Sequence, residues 1–561
     1  MKKFSILLVA ILIILSACMG ATPLTQPAPL PPLDLSVAAD ALVAPEITQD
    51  DAEPPLPQMG GHMRIPISLP RTLNPLLNSD PWVDAVLRLI YEPLVIFDSN
   101  KRPIPNPALT QSVIFAEDAR NMVVTLRSDI MWEDGAPITS ADIAFSIDVL
   151  QRFAPATAIY VPNVANFASL SIIDTNSIQI NLHHPTWAAI YDLAFPIISA
   201  TYHQGVNMRN LASPHNMHPV GNGPFRFHSY ELATSLELIV NHAAVGGRPY
   251  IQRVTAVVMR DLDGGDRRHA FEQGLTDILL GEPALWGRYA ADGRNRAAEI
   301  VSNNFDFISF NLNRSILADF NIRAAIAYSF DVDAVLRRYF TLADGAIAPV
   351  NPASWLNASN VAAFDFNLER AAEILAGLGF SRCAEGFLER RLSEVLPPIR
   401  LSMDIVVNSD NTIGMSIANT LRNGLNEIGV DVYVAALPFR KFAERVSAGD
   451  FDLAVGGMTL ATPPNLHFLA SDAEVDSVTR ALFGYNSEEL DALLYEKTNT
   501  LSEAEFRVAT QAVQQYIADN LLMLGVGFHR QVLYTAGHIH GDVELRHGDI
   551  FANISGWFIV D

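Results

Sequence analysis

Cysteine is nearly absent from this chain. Among 561 residues only Cys18 and Cys383 carry a thiol. If Cys18 is used elsewhere, no intrachain disulfide can form, Cys383 is left as a lone thiol, and packing must supply the stability. Positive charge is scarce as well. The 38 Lys and Arg are outnumbered by 61 Asp and Glu, giving a net charge of −23. Such a surface repels nucleic acid and anionic lipid, so neither is expected as a partner. The motifs of common catalysis are also missing: there is no His-Glu-x-x-His zinc pair, no Gly-x-Ser-x-Gly elbow and no Gly-x-x-x-x-Gly-Lys-Ser/Thr phosphate loop. The nearest metal-like groups are His183-His184 and His538-x-His540. Neighbouring histidines on a strand point to opposite faces, and the second pair lacks further ligands. An enzyme, a cofactor or a bound metal is therefore not expected. Beyond the first residues no run of eighteen apolar positions occurs, which leaves the body without a spanning segment.

What is present begins with an address. Met1-Lys2-Lys3 is basic, residues 4–15 are apolar apart from Ser5, and Leu15-Ser16-Ala17-Cys18 places small residues before a cysteine. The run is short for a bilayer-spanning helix and reads as a signal peptide over 1–17. A cysteine at the cut site can carry a diacylglyceryl group, which converts secretion into anchoring. The tetrad resembles a bacterial lipobox, implying a mature lipoprotein that begins at Cys18. Residues 19–60 hold nine prolines, six acids and no Lys or Arg, so 18–60 is expected to be a tether that cannot build a core. The body would then stand at the extracytoplasmic face of the cell envelope, joined to the membrane by lipid.

About 500 residues remain, enough for two or three domains. Strand patterns occur at 63–69, 94–97, 123–126, 177–182, 225–227, 236–240 and 254–259. Thr139 followed by Asp142 is a capping box opening a helix with Ile143, Ile147 and Leu150 on one face. In the later half, a short strand is expected at 307–311 and Asp319 is expected to cap a helix. Strands at 401–407, 430–435 and 451–456 then alternate with helices at 413–428 and 439–446, the signature of an α/β lobe. Helices at 488–495 and 503–517 precede an apolar strand at 521–528.

Several of these segments coincide with one family. Leu126-Arg127-x-x-Ile130-x-Trp132-x-Asp134-Gly135-x-Pro137-x-Thr139-x-x-Asp142-Ile143-x-Phe145-Ser146 resembles the signature of the family 5 extracellular solute-binding proteins of ABC importers. Ile90-Tyr91-Glu92-Pro93-Leu94, Pro219 through Phe227, Phe271-x-x-Gly274-x-x-Asp277-Ile278, the run from Asn321 to Asp331, Phe451-Asp452-Leu453-Ala454 and Tyr485-Asn486-Ser487 match in the same order. The resemblance implies an α/β, two-lobe periplasmic-binding-protein-like clamp (type II, cluster C) with an extra subdomain in its first lobe. It places lobe I at 61–304 plus 523–561, including a subdomain at 81–214, and lobe II at 305–522. The strands crossing between lobes are expected near 304–310 and 521–528. The resemblance further implies a monomeric receptor that hands a peptide or peptide-like solute to a permease driven by a separate ATPase. The signature residues themselves read as structural. Arg127 and Asp134 can brace a turn, Trp132 can fill the core, Gly135 can take a conformation costly for other residues, and Pro137 and Asp142 shape the helix entry.

Specificity is harder to read. Peptide receptors of this family typically hold the ligand amino terminus with an aspartate in a Trp-x-x-Asp-Tyr-like loop. The matching loop here is Gly456-Gly457-Met458-Thr459-Leu460-Ala461-Thr462-Pro463-Pro464-Asn465, with neither tryptophan nor acid. A buried ammonium without its carboxylate is expensive, so plain dipeptides are not the expected solute. The solute can instead be a blocked or longer peptide, another amphiphile, or a peptide held by an acid elsewhere. The alternatives are a nickel, haem or other non-peptide solute receptor, a ligand-sensing receptor, or a secreted hydrolase. Asn74, Tyr91, Phe310, Asn311, Met458, Thr459 and Asn465 are the ligand-contact candidates, offering amide donors and acceptors with adaptable apolar walls. Arg440 and Lys441 read as solvated charges on a helix.

Overall fold

The structure, a computed structural model, describes residues 55–561 except 260–263, 282–284, 292, 340–344, 362, 394, 547 and 561. The signal segment, Cys18 and most of the tether lie outside the described residues.

The body opens with a four-stranded sheet in which Gly60–Ser68 runs parallel to Ile251–Met259, followed by Ser235–Val240 and Phe225–Glu231 in antiparallel order. Leu236, Leu238 and Val240 point inward at alternate positions, which is the strand period of two. A second sheet joins Thr110–Phe115, Asn121–Leu126, Ser177–Leu182 and Phe167–Ile172, all antiparallel. Helix Ser140–Arg152 covers it with Ile143, Ile147 and Leu150 buried. Its capping box forms: the Thr139 N–H donates to Asp142 Oδ2 at 2.7 Å.

The signature turn is built differently from the simple reading in one respect. Arg127 Nε and Nη2 donate to Asp129 at 2.9 and 2.7 Å, whereas Asp134 Oδ1 accepts from the Ala136 N–H at 2.9 Å. Two turns are braced separately, because the guanidinium reaches the nearer carboxylate first. Trp132 is fully buried, Gly135 takes φ +86°, and Pro137 pairs with Met131 across the turn. Asp142 Oδ1 also accepts from the Ala200 N–H at 2.8 Å, fixing the helix start to a distant segment.

A six-stranded sheet organises the rest, in the order Ile278–Gly281, Met523–Ala536, Asn295–Phe310, Leu453–Thr459, Ser402–Asn408 and Asp431–Leu437. The last three strands are parallel where they meet, with helix Thr412–Glu427 as a crossover. Ile405, Val406 and Val407 are all buried, as a strand covered on both faces requires. Asp319 caps helix Phe320–Tyr328 by accepting from the Asn321 N–H at 2.9 Å.

The two central strands are longer than their apolar cores suggest. Asn295–Phe310 spans 16 residues and Met523–Ala536 spans 14. They pair with each other over 295–301 and 530–536 and again over 305–309 and 523–528, where Asn295–Phe310 also carries Leu453–Thr459 on its other edge. Between Val301 and Phe305 the register slips, with the same two strands paired on either side. Backbone pairing, which carries no periodicity of its own, extends these strands past their hydrophobic runs. No helix among the described residues is long and apolar enough to cross a membrane.

Candidate functional site

The register slip creates an opening in the ladder, and four segments converge on it. Residues 98–102 form a turn in which Asp98 Oδ1 accepts from the Asn100 and Arg102 N–H groups, both at 2.9 Å. That turn throws Lys101 into the left-handed region at φ +60° and sends its side chain inward, leaving the residue only 4% exposed. Lys101 Nζ donates to Val301 O at 2.8 Å and to Asn303 Oδ1 at 3.1 Å. Asn303 is the hub. Its Nδ2 donates to Leu460 O at 3.0 Å and Thr462 Oγ1 at 2.8 Å, while its Oδ1 also accepts from Asn351 Nδ2 at 3.2 Å. The Leu460 N–H returns a bond to Asn303 O at 2.9 Å. All four hydrogen-bonding positions of one amide are thereby used, which pins the loop to the strand.

These segments enclose a cavity of about 10 Å³ lined by Lys101, Tyr191, Asn303, Asn351, Thr462 and Phe528 with their neighbours. That is room for about one water. Lys101 is the only charged side chain on its wall. Burial alone lowers the Lys101 ammonium to about 8, since no charged neighbour offsets its desolvation.

An aromatic seam flanks the cavity. Trp187, Tyr191, Trp355 and Phe506 meet with ring centroids 5.7 to 6.5 Å apart. Trp355 Nε1 donates to the Tyr191 hydroxyl at 2.9 Å, the Trp187 N–H to Thr500 O at 2.8 Å, and the Trp355 N–H to Asn100 O at 2.9 Å. Arg102 Nη2 donates to Glu503 Oε2 at 2.9 Å beside them. Segments 98–102 and 187–193 are thus held against 351–357 and 500–506, far away in the chain.

A larger cavity of about 840 Å³ lies elsewhere, lined among others by Arg88, Glu92, Asn106, Arg127 and Asp549. None of its wall comes from 305–522. The smaller cavity, by contrast, draws its wall both from residues 101, 191 and 303 and from residues 351–356, 460–464 and 528.

The candidates named from sequence occupy other places. Asn74 is buried as a cap: its Oδ1 accepts from the Leu76 N–H and its Nδ2 donates to Asn216 Oδ1, both at 3.0 Å. Tyr91 and Phe310 are buried in two separate cores. Asn311 Nδ2 donates to Gly449 O and Phe451 O at 3.1 and 2.8 Å. Met458 and Thr459 pair with Phe305 and Asn304 across the sheet, and Thr459 Oγ1 donates to Asn304 Oδ1 at 2.7 Å. Asn465 is exposed and its Oδ1 accepts from the His467 N–H at 3.0 Å. Met458, Thr459 and Asn465 adjoin the cavity-lining stretch 460–464, but none of the seven lines the cavity itself. Arg440 and Lys441 both face Glu444 on an exposed helix. Sequence reading passed over Lys101, Tyr191, Asn303 and Asn351. A lone lysine in an Asp-Ser-Asn-Lys turn looks solvated, and only its left-handed backbone position marks it as unusual.

Comparison with known proteins fits this architecture. The family model for bacterial extracellular solute-binding proteins, family 5 middle, matches residues 105–474. The chain is 22% identical to the oligopeptide-binding protein AppA of Bacillus subtilis over 316 residues, covering 54% of this chain and 55% of that protein. It is 21% identical to the dipeptide-binding protein of Escherichia coli over 412 residues, covering 70% and 74%. The match to AppA thus spans about half of that relative's length. Among solved structures, a nickel ABC transporter from Bacillus halodurans superimposes with a TM-score of 0.72 at 18% identity, covering 90% of this chain and 99% of that one. The fold is accordingly the two-lobe α/β clamp. With a family match running from 105 to 474, about two thirds of the sequence, the chain belongs to the bacterial extracellular solute-binding proteins, family 5.

Proposed function

We propose that this protein is the solute-binding receptor of an ABC importer, capturing peptide or peptide-like solutes outside the cytoplasmic membrane and delivering them to a permease and its ATPase. The observation that carries the reading is the cavity at the register slip, whose wall combines 101 and 191 with 351–356 and 460–464. In this reading the jaws divide as 61–304 with 523–561 (including a subdomain at 81–214) and 305–522. The two long antiparallel strands form the hinge. Met458, Thr459 and Asn465 form the rim of the cleft, beside its lining residues. The oligopeptide and dipeptide relatives support a peptide cargo. The acid-free loop 456–465 favours a blocked or longer peptide, or a non-peptide solute such as a metal chelate. The protein works as a monomer, held at the membrane by lipid on Cys18.

Small-angle scattering of the full chain, with and without the solute identified by mass spectrometry of the purified protein, tests this. Binding is expected to reduce the radius of gyration. An unchanged radius at saturation would remove the clamp mechanism.

A further inference from the structure

Building on the receptor reading, we infer that Lys101 is the specificity-determining residue of the cleft and that it recognises a carboxylate of the solute. The position disfavours a lysine twice over. Its backbone lies at φ +60°, a left-handed conformation that is strained for any residue other than glycine. Its ammonium is buried, which is costly unless a counter-charge accompanies it. A glycine would relieve both costs, so a lysine here needs another purpose.

The internal partners do not supply that purpose. Val301 O and Asn303 Oδ1 are neutral acceptors. They occupy two of the three N–H donors of an ammonium, and no described carboxylate lies within ion-pair distance. The desolvation that pulls the ammonium to about 8 is opposed by no charge. Among the described residues nothing supplies a counter-charge to Lys101, and a solute carboxylate would supply it.

The rest of the wall agrees in sign. Tyr191, Asn303, Asn351, Ser354 and Thr462 are neutral and polar, and loop 460–464 brings Leu, Ala, Thr, Pro and Pro with no acid among them. A solute ammonium would find no carboxylate on this wall, whereas a solute carboxylate would find one cation, Lys101, whose third N–H is not taken by Val301 O or Asn303 Oδ1. The amide donors of Asn303 and Asn351 are already engaged within the chain. The space beside Lys101 is about 10 Å³, room for about one water and too small for a carboxylate, so a bound carboxylate requires the segments around Lys101 to stand further apart than they do here. The same chemistry is offered by a peptide's C-terminus and by the carboxylate arms of a metal chelate.

The test uses the full chain in three forms: wild type, Lys101→Gly, which suits the backbone, and Lys101→Arg, which keeps the charge. Calorimetry is run with a free-acid alanine tetrapeptide, its C-terminal amide and the nickel complex of EDTA, alongside mass spectrometry of co-purified solute. The expected result is that a carboxylate probe binds wild type and loses affinity on the order of tenfold or more in Lys101→Gly, with partial retention in Lys101→Arg. Amidation should weaken binding to wild type but make no further difference in Lys101→Gly. Which acid probe responds, peptide or chelate, tells the source of the carboxylate. Equal affinity of the acid for wild type and a normally melting Lys101→Gly would overturn the assignment. So would a co-purified solute that is cationic and has no acidic group, although the receptor reading would then survive. If neither probes nor any co-purified solute bind wild type, both fall together.

Discussion

Trp355 Nε1 donates to the Tyr191 hydroxyl at 2.9 Å, joining two residues 164 positions apart in the chain. The bond sits inside the aromatic seam, where Trp187 and Phe506 complete the contact. Under the proposed division into jaws 61–304 and 305–522, this contact joins one to the other and would stabilise the shut form whether or not solute is bound.

Trp355→Phe keeps most of the ring packing and deletes the donor. The loss should be about 1 kcal/mol, the net worth of one hydrogen bond. It should fall on closure, so the solute-free radius of gyration is expected to rise while the melting temperature changes little. Scattering at matched concentrations checks this, and a wild-type radius in Trp355→Phe would show that closure does not depend on the bond.

Gly525 lies on the return strand, where an added Cβ would meet Ala346 O at 1.8 Å. Gly525→Ala must displace the 345–351 segment that delivers Asn351 to the cavity. Overpacking of this kind costs about 1–3 kcal/mol or more. Denaturant unfolding should show that loss together with weakened solute binding. Gly135→Ala is the contrast. Its Cβ would meet nothing within 4 Å, so only the φ of +86° is penalised, at about 1 kcal/mol.

Lys497 is 8% exposed, with its ammonium 5.0 Å from the Phe506 ring centroid and no charged partner, and burial lowers it to about 8 from 10.5. Below about 8 the folded protein bears a desolvated charge. Between about 8 and 10.5 the unfolded chain holds more protons than the folded one, so this residue makes stability rise with pH there. Lys497→Met should therefore stabilise the protein at pH 7, by about 1–3 kcal/mol, with the advantage shrinking above pH 8. Melting curves across pH 6 to 10.5 measure it, and a variant less stable than wild type at pH 7 would contradict the sign.

Cys18→Ser should release the protein from the membrane fraction of cells that express it. Fractionation with equal membrane retention of the variant would exclude the lipid anchor.

Local features of the fold were legible in the residues themselves. The Thr139–Asp142 capping box, the Asp319 cap and the alternation of Leu236, Leu238 and Val240 each depend on neighbours within a few positions. Their geometry follows from local hydrogen bonding and strand or helix period. The acid-free loop was legible too, as a statement of what the cleft lacks. The long central strands were read only in part. The runs at 307–311 and 521–528 stand out, but 295–301 mixes polar and apolar residues and becomes strand by pairing with 530–536, which Ile278–Gly281 flanks on its other edge.

The cavity was decided by tertiary structure alone. Lys101, Tyr191, Asn303, Asn351 and Thr462 come from five separate stretches, and no periodicity links residue 101 to residue 303. Asn303 looks like any strand asparagine until the register slip turns its amide toward Leu460, Thr462, Asn351 and Lys101 together. Short-range order is encoded by short-range spacing, so the sequence by itself determined the elements, their caps and the family to which they belong. The meeting of distant side chains depends on how long strands cross and where their ladder slips. That is a property of the packed whole, and it alone placed a buried cation where the solute is expected to bind.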